Sequence, residues 1–277
     1  MPSKYFSNKL RPFPRKNSKQ TFHLDKSHER FYELSFREGI VYAWNKFRTD
    51  LGEGVFSYDD LEKAKATNFI EAIELIMNNP STREKVTVNL NSFAQERHFV
   101  RAAKIGANEE VTFDRFFPKA EKMTSANRFS PKGIEWLYLG FDYYIERAKK
   151  CCYSEVRATD KSNVKYCEFR YSGRNCNVIN LSIADEKTLD DICSPYGTSY
   201  DAAGYLIAEL YFKILSQEIF LPVDSKDKDL EYAPFHCMSA YFKSLGFDGI
   251  IYKSTVSDVG KNLVMFDKIS FLPERIF

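Results

Sequence analysis

Apolar residues recur at helical spacing through the first third of the chain and give way to short alternating runs afterwards. Phe31, Leu34, Ile40, Trp44 and Phe47 fall on one helical side, with Ser27 as N-cap, until Gly52 and Gly54 break the pattern. Ser57 or Asp59 can cap a second helix carrying Leu61, Ala64, Phe69, Ala72, Ile73 and Ile76, ended by Asn78-Asn79-Pro80. From residue 86 the texture changes. Val86–Val88 and His98–Ala102 read as short strands, and Glu135–Leu139 as a strand entered through the turn Ser130-Pro131-Lys132-Gly133. Asp142–Cys152 reads as a helix capped by Asp142, followed by strands over Val164–Tyr171 and Asn177–Leu181. Tyr200–Ser216 is an apolar-sided helix. A last helix, Pro234–Leu245, has its proline in the first turn and runs through Gly246-Phe247-Asp248-Gly249 into the strand Ile250–Tyr252. A pair of strands, Asn262–Phe266 and Lys268–Phe271, closes the pattern. Strands and helices interleave without a βαβ rhythm, so the fold class is α+β.

Three segments follow from this reading: a flexible arm over residues 1–25, a helical N-terminal region over 26–85, and a mixed domain over 86–277. The arm is basic, with Lys4, Lys9, Arg11, Arg15, Lys16 and Lys19 and no acid before Asp25. The whole chain carries only +2, which argues against nucleic acid as the main partner. The first 30 residues hold no signal-peptide run, and no window is long and apolar enough to span a bilayer, so a cytoplasmic protein is expected. Six cysteines without a C-x-x-C pair, and four histidines, argue for reduced buried thiols and against a structural zinc site. The 24 Phe and 17 Tyr are numerous enough that some rings can stack on a ligand as well as pack.

The chain has no Walker A, G-x-G-x-x-G, H-E-x-x-H or G-x-S-x-G motif, which leaves chemistry to dispersed single residues. Arg101 lies mid-strand between Val100 and Ala102 and therefore needs a partner or a cleft. Arg128 precedes a Pro-Gly turn, where its guanidinium can fork onto a diphosphate or pair at the surface. Tyr138 alternates with Leu137 and Leu139 and is either core or groove wall. Glu155 ends an amphipathic stretch, as a surface carboxylate or as an anion held against a sugar. Ser254 and Thr255 follow a strand and can cap a turn or contact a ligand. His236, near a helix start, can serve as an acid/base or as a packing residue, and packing is the favoured reading.

These pieces in order resemble the RES domain family. Phe-Val-Arg101-Ala-Ala meets its opening element. Asn-Arg128-Phe-Ser-Pro-Lys-Gly-Ile with Trp-Leu-Tyr138-Leu meets the middle block, and Ser-Glu155-Val-Arg the block that follows. Tyr232 to Pro234, Gly246 to Ser254 and Gly260 to Phe266 meet the closing pattern, so the resemblance runs from about Arg97 to Phe271. The gap between Tyr138 and Glu155 is longer than usual by about a helical turn, which makes Glu146 a competing acid. Phe235 and His236 stand where the family often has Thr-Gln.

The resemblance implies an ADP-ribosyltransferase-like mixed sheet core with peripheral helices, and an NAD+-degrading toxin with no required cofactor or metal. Arg101, Tyr138 and Glu155 would be catalytic; Arg101, Arg128, Tyr138 and Ser254 would bind NAD+. The reaction would cleave the nicotinamide–ribose bond as a glycohydrolase or phosphorylase. The alternatives are ADP-ribosyl transfer to a protein and a non-catalytic nucleotide-binding or interaction module on the same fold. An antitoxin or immunity protein is the implied partner.

Overall fold

The computed structural model describes residues 36–158, 160–185, 187, 200–220 and 228–277, with the backbone alone at 200–204, 218 and 219. The basic arm and the Ser27 cap lie outside the described residues. Contact clustering divides the chain into two compact units.

The first unit comprises the described parts of Met1–Val86, Ser182–Leu221 and Ala233–Ala240. It thus joins the N-terminal helices to later segments that the sequence reading placed in the 86–277 domain. Helix α1 (Phe36–Gly52) buries Ile40, Trp44, Phe47 and Leu51 along one stripe. The single helix expected next is two, α2 (Leu61–Lys65) and α3 (Asn68–Asn78). Thr67 makes the break: its hydroxyl donates to the Ala64 carbonyl at 2.6 Å and accepts the Ile70 N–H at 3.4 Å, closing one helix and opening the next. Asp60, rather than Ser57 or Asp59, caps α2. Helix α4 (Pro80–Val86) begins with a proline, which costs no helical hydrogen bond there. Trp44, Phe47 and Phe69 pack ring on ring at 5.0–6.3 Å, and Phe235 joins Trp44 at 5.1 Å. His236 is buried edge-on to Tyr58 at 5.6 Å.

The second unit comprises the described parts of Thr87–Leu181, Pro222–Tyr232 and Tyr241–Phe277. Its frame is one eight-stranded mixed sheet in the order β1-β5-β6-β7-β3-β2-β4-β8. The strands are β1 (Thr87–Asn89), β2 (His98–Lys104), β3 (Leu137–Asp142), β4 (Val164–Tyr171), β5 (Asn177–Asn180), β6 (Gly249–Lys253), β7 (Lys261–Met265) and β8 (Phe271–Ile276). The β5–β6 pair is parallel and the other pairs antiparallel. Leu137, Leu139 and Phe141 of β3 enter a core with Phe99, Phe169, Leu263 and Met265. The opposite parity of β3 carries Tyr138 and Gly140.

Four α-helices remain among the described residues: the short α5 (Leu90–Phe93), α6 (Ile145–Glu155), α7 (Tyr200–Ile214) of the first unit, and α8 (Lys228–Ser244), whose residues divide between the units. α6 starts later than expected because Asp142 stays in β3, where its carboxylate accepts the Tyr144 N–H at 3.2 Å instead of capping the helix. α8 starts two turns before Pro234, which lies inside it; Asp229 and Glu231 favour the earlier start by facing the helix dipole. The expected terminal strand pair is also corrected. Asp267 accepts the N–H groups of Ile269 and Ser270 at 2.9 and 3.0 Å, turning Lys268–Ser270 out of the ladder, and β8 pairs with β4 instead.

The described cysteines are free and buried. Burial pushes the thiols of Cys152, Cys167 and Cys237 up to about 12. Such groups stay protonated in the folded protein while their unfolded counterparts ionise near 8.5. Stability should therefore fall as pH rises above that value, by up to about 1.4 kcal/mol per pH unit for each fully buried thiol. Urea denaturation between pH 7.5 and 10 should show the midpoint dropping, and Cys152→Ala should flatten the slope.

Candidate active site

The site is built around the C-terminus of α6, which lies on β2 and β3. Two glycines let it lie close. A Cβ on Gly140 would meet Cys152 Sγ at 2.6 Å, and one on Gly260, whose φ is +71°, would meet Cys151 Cβ at 2.8 Å. The Cys152 thiol donates to the Val100 carbonyl at 3.0 Å, fastening the helix to β2. Arg157 adopts a left-handed φ of 47° and stops the helix, and its carbonyl accepts Lys104 Nζ at 3.1 Å. Glu155 thus becomes the last helical residue, directed by the rigid body of α6.

Glu155 is exposed, yet one of its oxygens is firmly held. Oε1 accepts Ser254 Oγ at 2.8 Å and Asn262 Nδ2 at 2.5 Å. Oε2 accepts no hydrogen bond from the described residues. Ser254 and Asn262 are themselves buried. The Ser254 hydroxyl also accepts the N–H groups of Val256 and Ser257 at 3.3 and 3.0 Å. Its one donor and both acceptor positions are therefore used within the protein. Glu146 lies elsewhere: its side chain is 78 % exposed and pairs with Lys149 at 3.0 Å on the outer surface of α6.

β2 and β3 pair only from His98 to Val100 against Asp142 to Gly140. Arg101 and Tyr138 stand just beyond the end of that pairing. Nη1 of Arg101 is buried without a hydrogen-bond partner. Burial pulls the guanidinium down to about 10, partly offset by the neighbouring Cys152 and Tyr138 and reinforced by Arg115, so it stays charged at neutral pH. A buried cation with an unused donor is costly unless something anionic or polar meets it. Tyr138 donates its phenol proton to Ser130 Oγ at 3.0 Å, and burial pushes that phenol well above its ordinary value.

Arg128 is buried and donates through Nη2 to Thr255 Oγ1 at 3.1 Å, with its guanidinium 5.9 Å from the Tyr232 ring. The short loop after β6 therefore serves two groups, Ser254 holding Glu155 and Thr255 holding Arg128. Tyr252 sits among them. Burial raises its phenol far above the usual range, the charge of Glu155 raises it further, and Arg128 opposes them. Among the described residues no cluster of His, Cys, Asp and Glu is placed to hold a metal ion, and no helix is long and apolar enough to cross a membrane.

The family model of the RES domain matches residues 98–271, more than half of the chain. The chain belongs to the RES domain family. None of the curated proteins matches it. Among solved structures it is similar to a chain of the "M.tuberculosis MbcT-MbcA toxin-antitoxin complex", with 10% identity, a TM-score of 0.36, and coverage of 74% of this chain and 90% of that one.

Within the RES domain of this protein Ser254 meets Glu155, Thr255 meets Arg128, and Arg101 neighbours Tyr138; the competing Glu146 lies exposed beside Lys149, and His236 packs against Tyr58 in the first unit. Sequence reasoning missed Asn262, Tyr252 and Ser130 as parts of the site. The signal for the first two was register. Gly140 pairs with Asn262, and Asn262 with Tyr252, so a polar residue and a tyrosine flank one another beside a glycine on a single face of the sheet. Strand order, which the sequence does not display, was needed to see that row.

Proposed function

We propose that the site binds NAD+ and breaks the bond between nicotinamide and ribose. The observation that carries this reading is the Glu155 carboxylate, anchored through one oxygen and open at the other, at the end of the helix that packs on β2, the strand that carries Arg101. As the C–N bond breaks, its electron pair goes to the nicotinamide ring, which leaves neutral. Positive charge then develops on the ribose. A fixed anion stabilises that charge without needing to act as an acid. Arg101 and Arg128 clamp the diphosphate and the adjoining ribose, holding the reacting bond in one pose. Tyr138 shapes the nicotinamide pocket. Ser254 acts through Glu155, since its hydroxyl has no hydrogen-bonding capacity left for a ligand.

The acceptor completes the reaction by bonding to the ribosyl carbon and losing a proton. Water yields ADP-ribose, inorganic phosphate yields its phosphorylated form, and a protein side chain yields a modified protein. An enzyme of this kind depletes NAD+ in its own cell, so an antitoxin or immunity protein is the partner expected. Incubating the pure protein with NAD+, with and without phosphate, and identifying the ribosyl product tests the reading. Free nicotinamide with ADP-ribose or its phosphate is expected; complete recovery of intact NAD+ would overturn it.

A further inference from the structure

Asn262 has no part in the reaction outlined above, yet it makes the shortest hydrogen bond to the carboxylate on which that reaction depends. It lies in β7, is 5 % exposed, and is paired in register with Gly140 on one side and Tyr252 on the other. Gly140 presents no side chain, which leaves room over β3 for the last turn of α6. The amide has two ends with different tasks. Nδ2 donates to Glu155 Oε1 at 2.5 Å, while Oδ1 lies 3.6 Å from Cys151 Sγ, one turn earlier on the same helix. An ionised carboxylate can only accept, so the donor end of the amide faces Glu155, and the Cys151 thiol donates to the oxygen end.

We propose that Asn262 is a positioning residue that, with Ser254, holds Glu155 by a single oxygen so that the other faces the ribose. This rests on the NAD+-cleaving reading. Two donors on one oxygen fix both the place and the rotation of the carboxylate. Ser254 alone would leave the group free to swing about one hydrogen bond. The arrangement also keeps the carboxylate's charge on a rigid frame, where an electrostatic group acts at its full strength.

Two substitutions separate positioning from folding. Asn262→Ala removes both hydrogen bonds; kcat should fall by about tenfold or more with KM little changed, since the ligand's own contacts remain. Asn262→Asp keeps the shape but sets a second carboxylate against the first. At neutral pH this repels and kcat should fall at least as far. As pH falls, one proton shared by the pair restores a donor, so activity of Asn262→Asp should rise toward acid while that of the parent does not follow it. Either variant retaining kcat within about threefold, or an Asn262→Asp pH profile parallel to the parent's, would overturn the proposal. A second measurement stands apart from turnover. The Asn262 side-chain amide protons, observed by 15N NMR, should move when Glu155→Gln replaces the charged acceptor; unmoved resonances overturn the proposal. A parent protein that leaves NAD+ intact contradicts the NAD+-cleaving reading instead, and the amide resonances then decide the positioning contact alone.

Discussion

Glu155→Gln should lower the rate of NAD+ cleavage by about a hundredfold or more, with little change in stability. Glutamine keeps the length of the side chain, and its carbonyl oxygen can accept from Ser254 and Asn262 as Oε1 does. What it removes is the charge. The loss should therefore appear in kcat, because the interaction matters most when the ribose becomes cationic. Glu146→Gln is the matched control. That residue is 78 % exposed and, among the described residues, pairs with Lys149, so its substitution should leave turnover within about twofold. Steady-state assays of nicotinamide release on both variants, beside thermal melts, check the pair. Equal losses in the two would remove the special standing of Glu155.

Gly140→Ala should damage stability and catalysis together. The new methyl group would lie 2.6 Å from Cys152 Sγ and 3.4 Å from the Ala148 carbonyl, so α6 must lift or the sulfur must move. Overpacking of this kind costs about 1–3 kcal/mol. Melting should drop by about 2–4 °C for each kcal/mol lost in a protein of this size. The same displacement carries Glu155 away from Ser254 and Asn262, and a shift of about 1 Å at such a group can cost about a hundredfold in rate. Adding Cys152→Ala removes the obstructing sulfur and should recover much of both losses. Melting curves and kcat for the single and double variants test this. A double variant no better than Gly140→Ala alone would show that the contact with Cys152 is not the cause.

How legible the protein was in its sequence depended on the range of the interaction. Strand β4 was readable at its full length because its alternation is local, and α1 because its apolar stripe and Gly52 mark it without reference to anything else. The break at Thr67 was missed because the apolar spacing continues across it; only the hydroxyl's two hydrogen bonds show where one helix ends. β8 was displaced because the Asp267 turn removes three residues from the ladder and the strand finds β4 rather than its neighbour in sequence. In the site, the arginines, the tyrosine and Glu155 were singled out by residue type and by the family resemblance. Their arrangement was not. Glu155 and Glu146 are both carboxylates on one helix, and only the meeting of α6 with β7 and the loop after β6 separates them. Ser254 was expected to face the ligand; its hydrogen bonds direct it to Glu155 instead.

Cleavage of NAD+ at the nicotinamide–ribose bond is the activity proposed for this protein. The most direct measurement is the release of free nicotinamide when the purified protein is incubated with NAD+, followed by chromatography. The account predicts nicotinamide appearing in proportion to enzyme and time, together with one ribosyl product. NAD+ bound but recovered whole, with no nicotinamide formed under any acceptor condition, would contradict it.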